Sequence, residues 1–393
     1  MTEMLSYVPA DHPLNRVAPA VRSALIAAQK SLLGSEYKNA HELCARALDD
    51  LKLKLTPPSG QKQQSAEDFA DRPFNELYDN FFALLVQADV PEDGAKLQAV
   101  AIAHRVHLHR AFTKPDPVLE DIKTKVASIV ATFPRTAADI ERGRNPGDVL
   151  DPYILAATQT LICGGDFTQA ISATVAHKTL MIIEGLLGHL HEDVLGAMRG
   201  NVRAPEPRGE NQELLSPDNP FPGADVVQPP LSTSIPVRFH QIKSKTGSAK
   251  GGDGKRLGDQ LKLLQNTYSG EIFYDALIGN TLKGHRSRRG VEQAAPGVIV
   301  LVGEAAFKVL TRSNIGPELL LRVYQTAFRN VAAETGYQVE VMAADIVATF
   351  QKRAEQEGES FLQVILEDAV GGPPDEQDNR LYKGSKSRSK GVT

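Results

Sequence analysis

The chain has 393 residues, with 44 Lys and Arg against 48 Asp and Glu for a formal charge of −4, and 41% of it is hydrophobic. With 23% charged residues and a mean hydropathy of −0.25, it has the composition of a globular chain long enough for two domains or one large elaborated one. Disorder, collagen and coiled coil are thereby excluded for the bulk of it. No run approaches the roughly 18 consecutive apolar residues of a membrane span, and the opening MTEMLSYVPADHPLNR lacks a basic region followed by an apolar stretch. A cytoplasmic location is therefore expected.

Residues 17–53 place apolar groups at three- and four-residue spacings, which predicts amphipathic helices. The Pro- and Gln-rich TPPSGQKQQSAED (56–68) ends that block, and 69–86, 93–113, 119–133 and 137–143 continue the helical pattern. The expectation is an all-helical N-terminal domain over residues 1–160. After the breaker CGGD (163–166), residues 167–201 read as the longest helix, ending at Gly200-Asn201. The proline-rich segment that follows, 202–225, predicts a long irregular connection, which in a compact domain is usually functional.

VVQPP (226–230) then predicts a short strand, and PVRFHQIKSK (236–245) a second with period-two alternation. PGVIVLVG (296–303) has the continuous aliphatic character of a strand buried on both faces, and YQVEVMAA (337–344) predicts another. Between them, 317–336 reads as a helix with Pro near its start and Gly just after its end. Residues 165–370 are thus expected to form an α/β domain, and the polar, turn-rich 371–393 a disordered basic tail.

Residues 238–290 hold eleven Lys or Arg against four acids, a local charge of +7 that leaves −11 for the rest of the chain. A basic block inside an acidic protein suits a polyanion, because bases that neutralise phosphates release condensed counterions. The bland alternative is a solvated loop face. Against it, KSKTGSAKGGDGKR interleaves bases with glycines, which lets backbone amides approach phosphate oxygens, and GHRSRRG (284–290) repeats the device. Lys245, Lys250, Lys255, Arg256, Arg286, Arg288 and Arg289 are the expected DNA contacts, and His285 also suits a guanine or phosphate. Base contacts are expected from loops near 203–235 and 280–290. The glycine run is not a nucleotide loop: GxxxxGK followed by Ser or Thr is not met around Gly254-Lys255, and no GxGxxG follows a strand.

In the strand over 236–245, alternation puts Val237, Phe239, Gln241, Lys243 and Lys245 on one face and Arg238, His240, Ile242 and Ser244 on the other. The first face passes from apolar to polar just before the cationic segment. Asp225 begins the preceding strand, so a hairpin would let Asp225, Gln241 and Lys243 converge.

This arrangement resembles the PD-(D/E)xK nuclease superfamily, in which an acid after a proline-containing turn begins one strand and an acid-x-Lys triplet ends the next. Pro222-Gly223-Ala224-Asp225 stands for the first part and Gln241-Ile242-Lys243 for the second. The proline is not adjacent to the aspartate, and Gln replaces the usual acid, as it does in some type II restriction enzymes of the superfamily. The likeness covers about 165–305. Within the superfamily, HQIKSKTGSAKGGDGKR and the chain length look most like ApaLI-type restriction endonucleases.

The resemblance implies a mixed sheet flanked by helices, double-stranded DNA as substrate, Mg²⁺ as cofactor, and a homodimer cutting both strands of a palindrome. GTGCAC is the site that the narrower likeness implies. Asp225, the Gln241 side-chain carbonyl and the Ile242 backbone carbonyl would hold the metal. Lys243 would act on the attacking water and offset charge in the transition state. The long helix offers a further carboxylate, Glu192 by its distance from Asp225, with Glu184 as the alternative.

Other constellations are weaker. His104, His107 and His109 form an HxxHxH run with no acid or Cys at zinc-site spacing, and His189 and His191 read as packing or surface residues. Cys44 and Cys163 lack a CxxC partner, which removes a disulfide framework and a cysteine zinc site and fits a reducing compartment. Two non-catalytic readings remain open: a nucleic-acid-binding protein using the 238–290 block, and a helical scaffold whose α/β half recognises an acidic protein.

Overall fold

A computed structural model describes residues 3–130, 151–205, 215–216, 219–245, 253–335 and 339–370. The 137–143 helix, most of the irregular connection, Lys250 and the 371–393 tail lie outside these. Among the described residues are fifteen α-helices and one five-stranded mixed sheet.

The chain forms two compact units, one from Met1–Thr124 with Leu186–Asn330 and the other from Lys125–Gly185 with Val331–Thr393. The sequence-based division at about 160–165 differs from this. The N-terminal helices share a unit with the sheet, and a unit boundary falls inside each of three helices, because chain continuity in a helix does not dictate which core its two ends join.

In the first unit, helices α1 (Pro19–Lys30), α2 (Leu33–Glu36), α3 (Ala40–Asp50), α4 (Ala66–Ala70), α5 (Phe74–Gln87) and α6 (Glu92–Ala111) precede α7 (Pro115–Val130). Asn39 caps α3 through Glu42 N–H and Ser65 caps α4, as short polar side chains do at helix starts. Leu43, Leu48, Phe69, Leu77, Phe81, Leu85 and Ile102 share one buried core, whose apolar spacing was the helical signal in the sequence.

The second unit contains α8 (Pro152–Leu161), the first part of α9 (Phe167–Ala197), α14 (Val339–Glu357) and α15 (Phe361–Val370). Leu155, Ile171, Val175, Ile346, Phe350, Phe361 and Ile365 form its core. The strand expected over 337–344 is not one: α14 begins at Val339, and 336–338 lie outside the described residues. The alternation of Val339-Glu340-Val341 is overridden by the strong helix formers that follow, Met342-Ala343-Ala344. Helix α9 is long and apolar enough overall to pass as a membrane span, although no 18-residue apolar run exists. Its last turns are buried through Leu190, Val194 and Leu195.

The sheet follows chain order: β1 (Val202–Arg203), β2 (Val226–Gln228), β3 (Arg238–Lys245), β4 (Glu271–Ile278) and β5 (Ile299–Val302). The first three are antiparallel neighbours, while β3, β4 and β5 run parallel. Each parallel step crosses through a helix, α10 (Gly254–Tyr268) and then α11 (Arg286–Ala294), as parallel neighbours require. Helices α12 (Glu304–Thr311) and α13 (Gly316–Thr335) follow.

Three strands depart from expectation. β1, at the start of the segment expected to be irregular, and β4 are strands that the sequence pattern does not predict, and β5 is an edge strand whose Ile299 is 37% exposed, not a strand buried on both faces. Phe239, Tyr274 and Ala276 share a core with Leu257, Leu261, Leu264 and Tyr268 of α10 and Val291 of α11. The opposite face holds a fully buried His240–Asp275 pair, Nδ1 to Oδ2 2.8 Å, with His240 stacked on Phe273.

Candidate active site

β2 and β3 form the expected antiparallel pair, with Val226 opposite His240. Asp225 N–H donates to the His240 carbonyl at 2.7 Å, which fixes Asp225 beside the middle of β3. Its carboxylate then meets the next residues of that strand. Gln241 Nε2 and the Ile242 backbone N–H each donate to Asp225 Oδ2 at 2.6 Å. With its amide nitrogen so engaged and 3.5 Å from the Ile242 carbonyl, Gln241 keeps its own carbonyl oxygen available as a neutral ligand.

Helix α9 delivers the second carboxylate. Glu192 lies close enough to Asp225 for its charge to be felt there, whereas Glu184 is exposed and belongs to the other compact unit. Asp225 is pushed up to about 7, first by burial and then by the Glu192 charge. The Ile242 N–H, Lys243 and Arg203 pull it back only in part. Glu192 is likewise raised, chiefly by burial, against the pull of Arg203, His189 and Lys243. The structure therefore brings Asp225, Gln241, Ile242, Lys243 and Glu192 to one place.

Arg203 is the member that sequence reasoning missed. From β1 its Nη1 donates to the Asp225 carbonyl at 2.9 Å, its Nε to Asp193 Oδ1 at 3.1 Å and its Nη2 to Glu192 Oε2 at 2.5 Å. α9 reaches β1 this closely because position 196 is Gly: a Cβ there would lie 2.6 Å from Arg203 Cβ and 2.7 Å from its Cα. Only the Glu192-Asp193 dipeptide, on a helix ending a few residues before an arginine, could have suggested the link.

Among the described residues, no group of three or more His, Cys, Asp or Glu side chains is arranged to hold a metal. The oxygen set here is two carboxylates with two neutral carbonyls, Gln241 Oε1 and Ile242 O. Hard oxygen donors of this kind suit Mg²⁺, which retains several waters and takes few protein ligands. Burial raises both carboxyls, and the Glu192 charge adds to the rise of Asp225, so a divalent cation bound at the pair would offset the cost of ionising them.

The histidine run is separated by its partners. His107 Nε2 lies 2.9 Å from the Arg72 carbonyl and His109 Nε2 2.8 Å from Asp50 Oδ2, while His104 packs against Phe74. His191 is buried with its Nδ1 2.9 Å from Tyr324 Oη. These are packing roles.

The two basic segments meet. Lys255 and Arg256 open α10, and Arg286, Arg288 and Arg289 open α11. A Cβ on Gly254 would lie 2.2 Å from the Ser287 carbonyl oxygen, and one on Gly290 2.9 Å from Gly254 C and Lys255 N. Gly254 and Gly290, expected to admit phosphate, instead admit the neighbouring helix. Lys255, Arg256, Arg286 and Arg289 are exposed, and Arg288 pairs with Glu292 at 2.8 Å. Lys245, also exposed, ends the strand that carries Gln241 and Lys243.

No family model matches the chain, and no curated protein matches it. The residues themselves therefore carry the functional argument.

Proposed function

We propose that this protein is a Mg²⁺-dependent endonuclease of the PD-(D/E)xK type, a type II restriction enzyme acting on double-stranded DNA. The observation that carries the reading is the meeting of Asp225, Gln241, Lys243 and Glu192 at the β2–β3 hairpin. A helix before that hairpin, and a helix and parallel strand after it, supply the element order expected of such a core.

Asp225 and Glu192 would hold the cation, assisted by the Gln241 and Ile242 carbonyls. Bound there, a divalent cation supplies Lewis acidity to the scissile phosphate and acidity to a water. Lys243 orients that water and offsets the charge that grows on the phosphate oxygens. Lys245, Lys255, Arg256, Arg286 and Arg289 hold the DNA backbone, contributing salt-dependent affinity. Two such sites, one per protomer of a homodimer, would cut both strands of a palindrome, GTGCAC if the ApaLI likeness holds.

Digestion of phage DNA by the purified protein with Mg²⁺, followed by sequencing of the fragment ends, tests the reading. Discrete ends at one short palindrome support it. Intact DNA with salt-dependent, metal-independent binding would establish the non-catalytic alternative.

A further inference from the structure

Arg203 stands where a cation is wanted. Its guanidinium reaches Glu192, Asp193 and the Asp225 carbonyl at once, with its three contacting nitrogens on three different oxygens. The backbone around it is held independently. Ala204 N–H donates to the Asp225 carbonyl at 2.9 Å, β1 pairs with β2, and Gly196 brings α9 onto the Arg203 main chain. The side chain is thus not needed to bring helix and strand together, and its charge is what the two carboxylates gain from it.

We propose that Arg203 is a positioning residue that acts as the resident counter-cation of this site: it holds Glu192 in the cation-free protein and yields it when a divalent ion binds. This rests on the nuclease reading of Asp225 and Glu192. Arg203 competes with the metal for Glu192 and keeps the carboxylate pair in register until the metal arrives. A site with one carboxylate pledged to an arginine, and Gln241 where a third acid would stand, binds cation weakly alone. It binds more strongly once a DNA phosphate adds its own charge.

The test is Mn²⁺ titration of the full-length, DNA-free protein, read by loss of the free-ion electron paramagnetic resonance signal. Removing a positive charge beside two carboxylates tightens cation binding, so Arg203→Gln should lower the Mn²⁺ dissociation constant about ten-fold. Loss of a merely structural ion pair would lower thermal stability and leave the Mn²⁺ affinity unchanged. Because part of the gain comes from freeing Glu192, the double variant E192Q/R203Q should gain clearly less over E192Q than Arg203→Gln gains over the wild type. Should Arg203→Gln fail to fold, the unmodified protein gives the answer by NMR. The Arg203 Nε–H resonance, assigned by its loss in Arg203→Lys, should move on addition of Mg²⁺. Wild-type or weaker Mn²⁺ affinity in Arg203→Gln, or an unmoved resonance, with binding abolished by D225N, overturns the role of Arg203 and leaves the nuclease reading standing. Absence of any Mn²⁺ uptake by the wild-type protein, both alone and with duplex DNA present, overturns both.

Discussion

Gln241 donates its side-chain amide to Asp225 Oδ2 at 2.6 Å, tying the residue that begins one strand to the middle of the next. In this position an acid would repel Asp225 instead of bonding to it. Gln241→Glu should destabilise the cation-free protein by roughly 1–3 kcal/mol at pH 8, the cost of losing a bond to a charged acceptor and adding like charge. Melting in chelator should fall by several degrees, and added Mg²⁺ should restore the variant more than it shifts the wild type. An unchanged melting temperature in chelator would count against the charge balance described here.

The Asp225 carboxyl also predicts a pH dependence. Its value in the folded protein, about 7, stands above its ordinary 3.8, so between those limits the folded chain keeps a proton that the unfolded chain releases. Its stabilising contribution is full below pH 4 and is lost as pH rises through 7, amounting to about 4 kcal/mol. His104 and His191, held down to about 4 by burial, act in the opposite sense as pH falls from 6.5. They are common to wild type and D225N, so urea denaturation in chelator should show the stability difference between the two growing from pH 5 to pH 8.

Gly254 tests the helix pair. Because its Cβ would overlap the Ser287 carbonyl oxygen, a backbone atom that cannot step aside, Gly254→Ala should separate α10 from α11. We expect a loss of about 2–3 kcal/mol and weaker DNA binding, measured by denaturation and by fluorescence anisotropy on the same samples. Gly60, with nothing within 4 Å of its virtual Cβ, should tolerate Ala.

Charge reversal separates the cationic surface from the rest of the chain. Lys255→Glu with Arg256→Glu should weaken duplex binding and reduce the slope of log affinity against log salt by about 2, one for each lost phosphate contact. The same reversal at Lys38 and Lys96, exposed on the N-terminal segment, should leave the slope unchanged.

Much of the site was legible because it is local. Alternation along 236–245 assigned Gln241 and Lys243 to one face, and the hairpin brought Asp225 to them. Glu192 was legible as the carboxylate of the long helix nearer in sequence to Asp225. Arg203 was not, since its meaning lies in bonds to Glu192 and Asp193, eleven and ten residues earlier, across a turn, and to a carbonyl 22 residues later. β4 was missed because EIFYDALI carries a buried Asp275 whose compensating partner, His240, is 35 residues away. The glycines of the basic segments were read as phosphate loops, yet Gly254 and Gly290 face each other's helices, a contact that only the tertiary structure reveals. The joining of the N-terminal helices to the sheet depends on which core each long helix ends in, and helical periodicity is silent on that.

If Lys243 and the Asp225–Glu192 pair form a phosphodiester-cleaving centre, removing the Lys243 ammonium must slow cleavage without loosening DNA. Wild type and Lys243→Ala are incubated with supercoiled plasmid or phage DNA and Mg²⁺, at protein concentrations giving equal DNA occupancy. The wild type should give discrete linear fragments, and the variant a rate at least about a hundred-fold lower, on the order expected for loss of a proton-transfer or charge-stabilising group. Equal cleavage by both proteins, or none by the wild type on DNA rich in six-base palindromes, would contradict it.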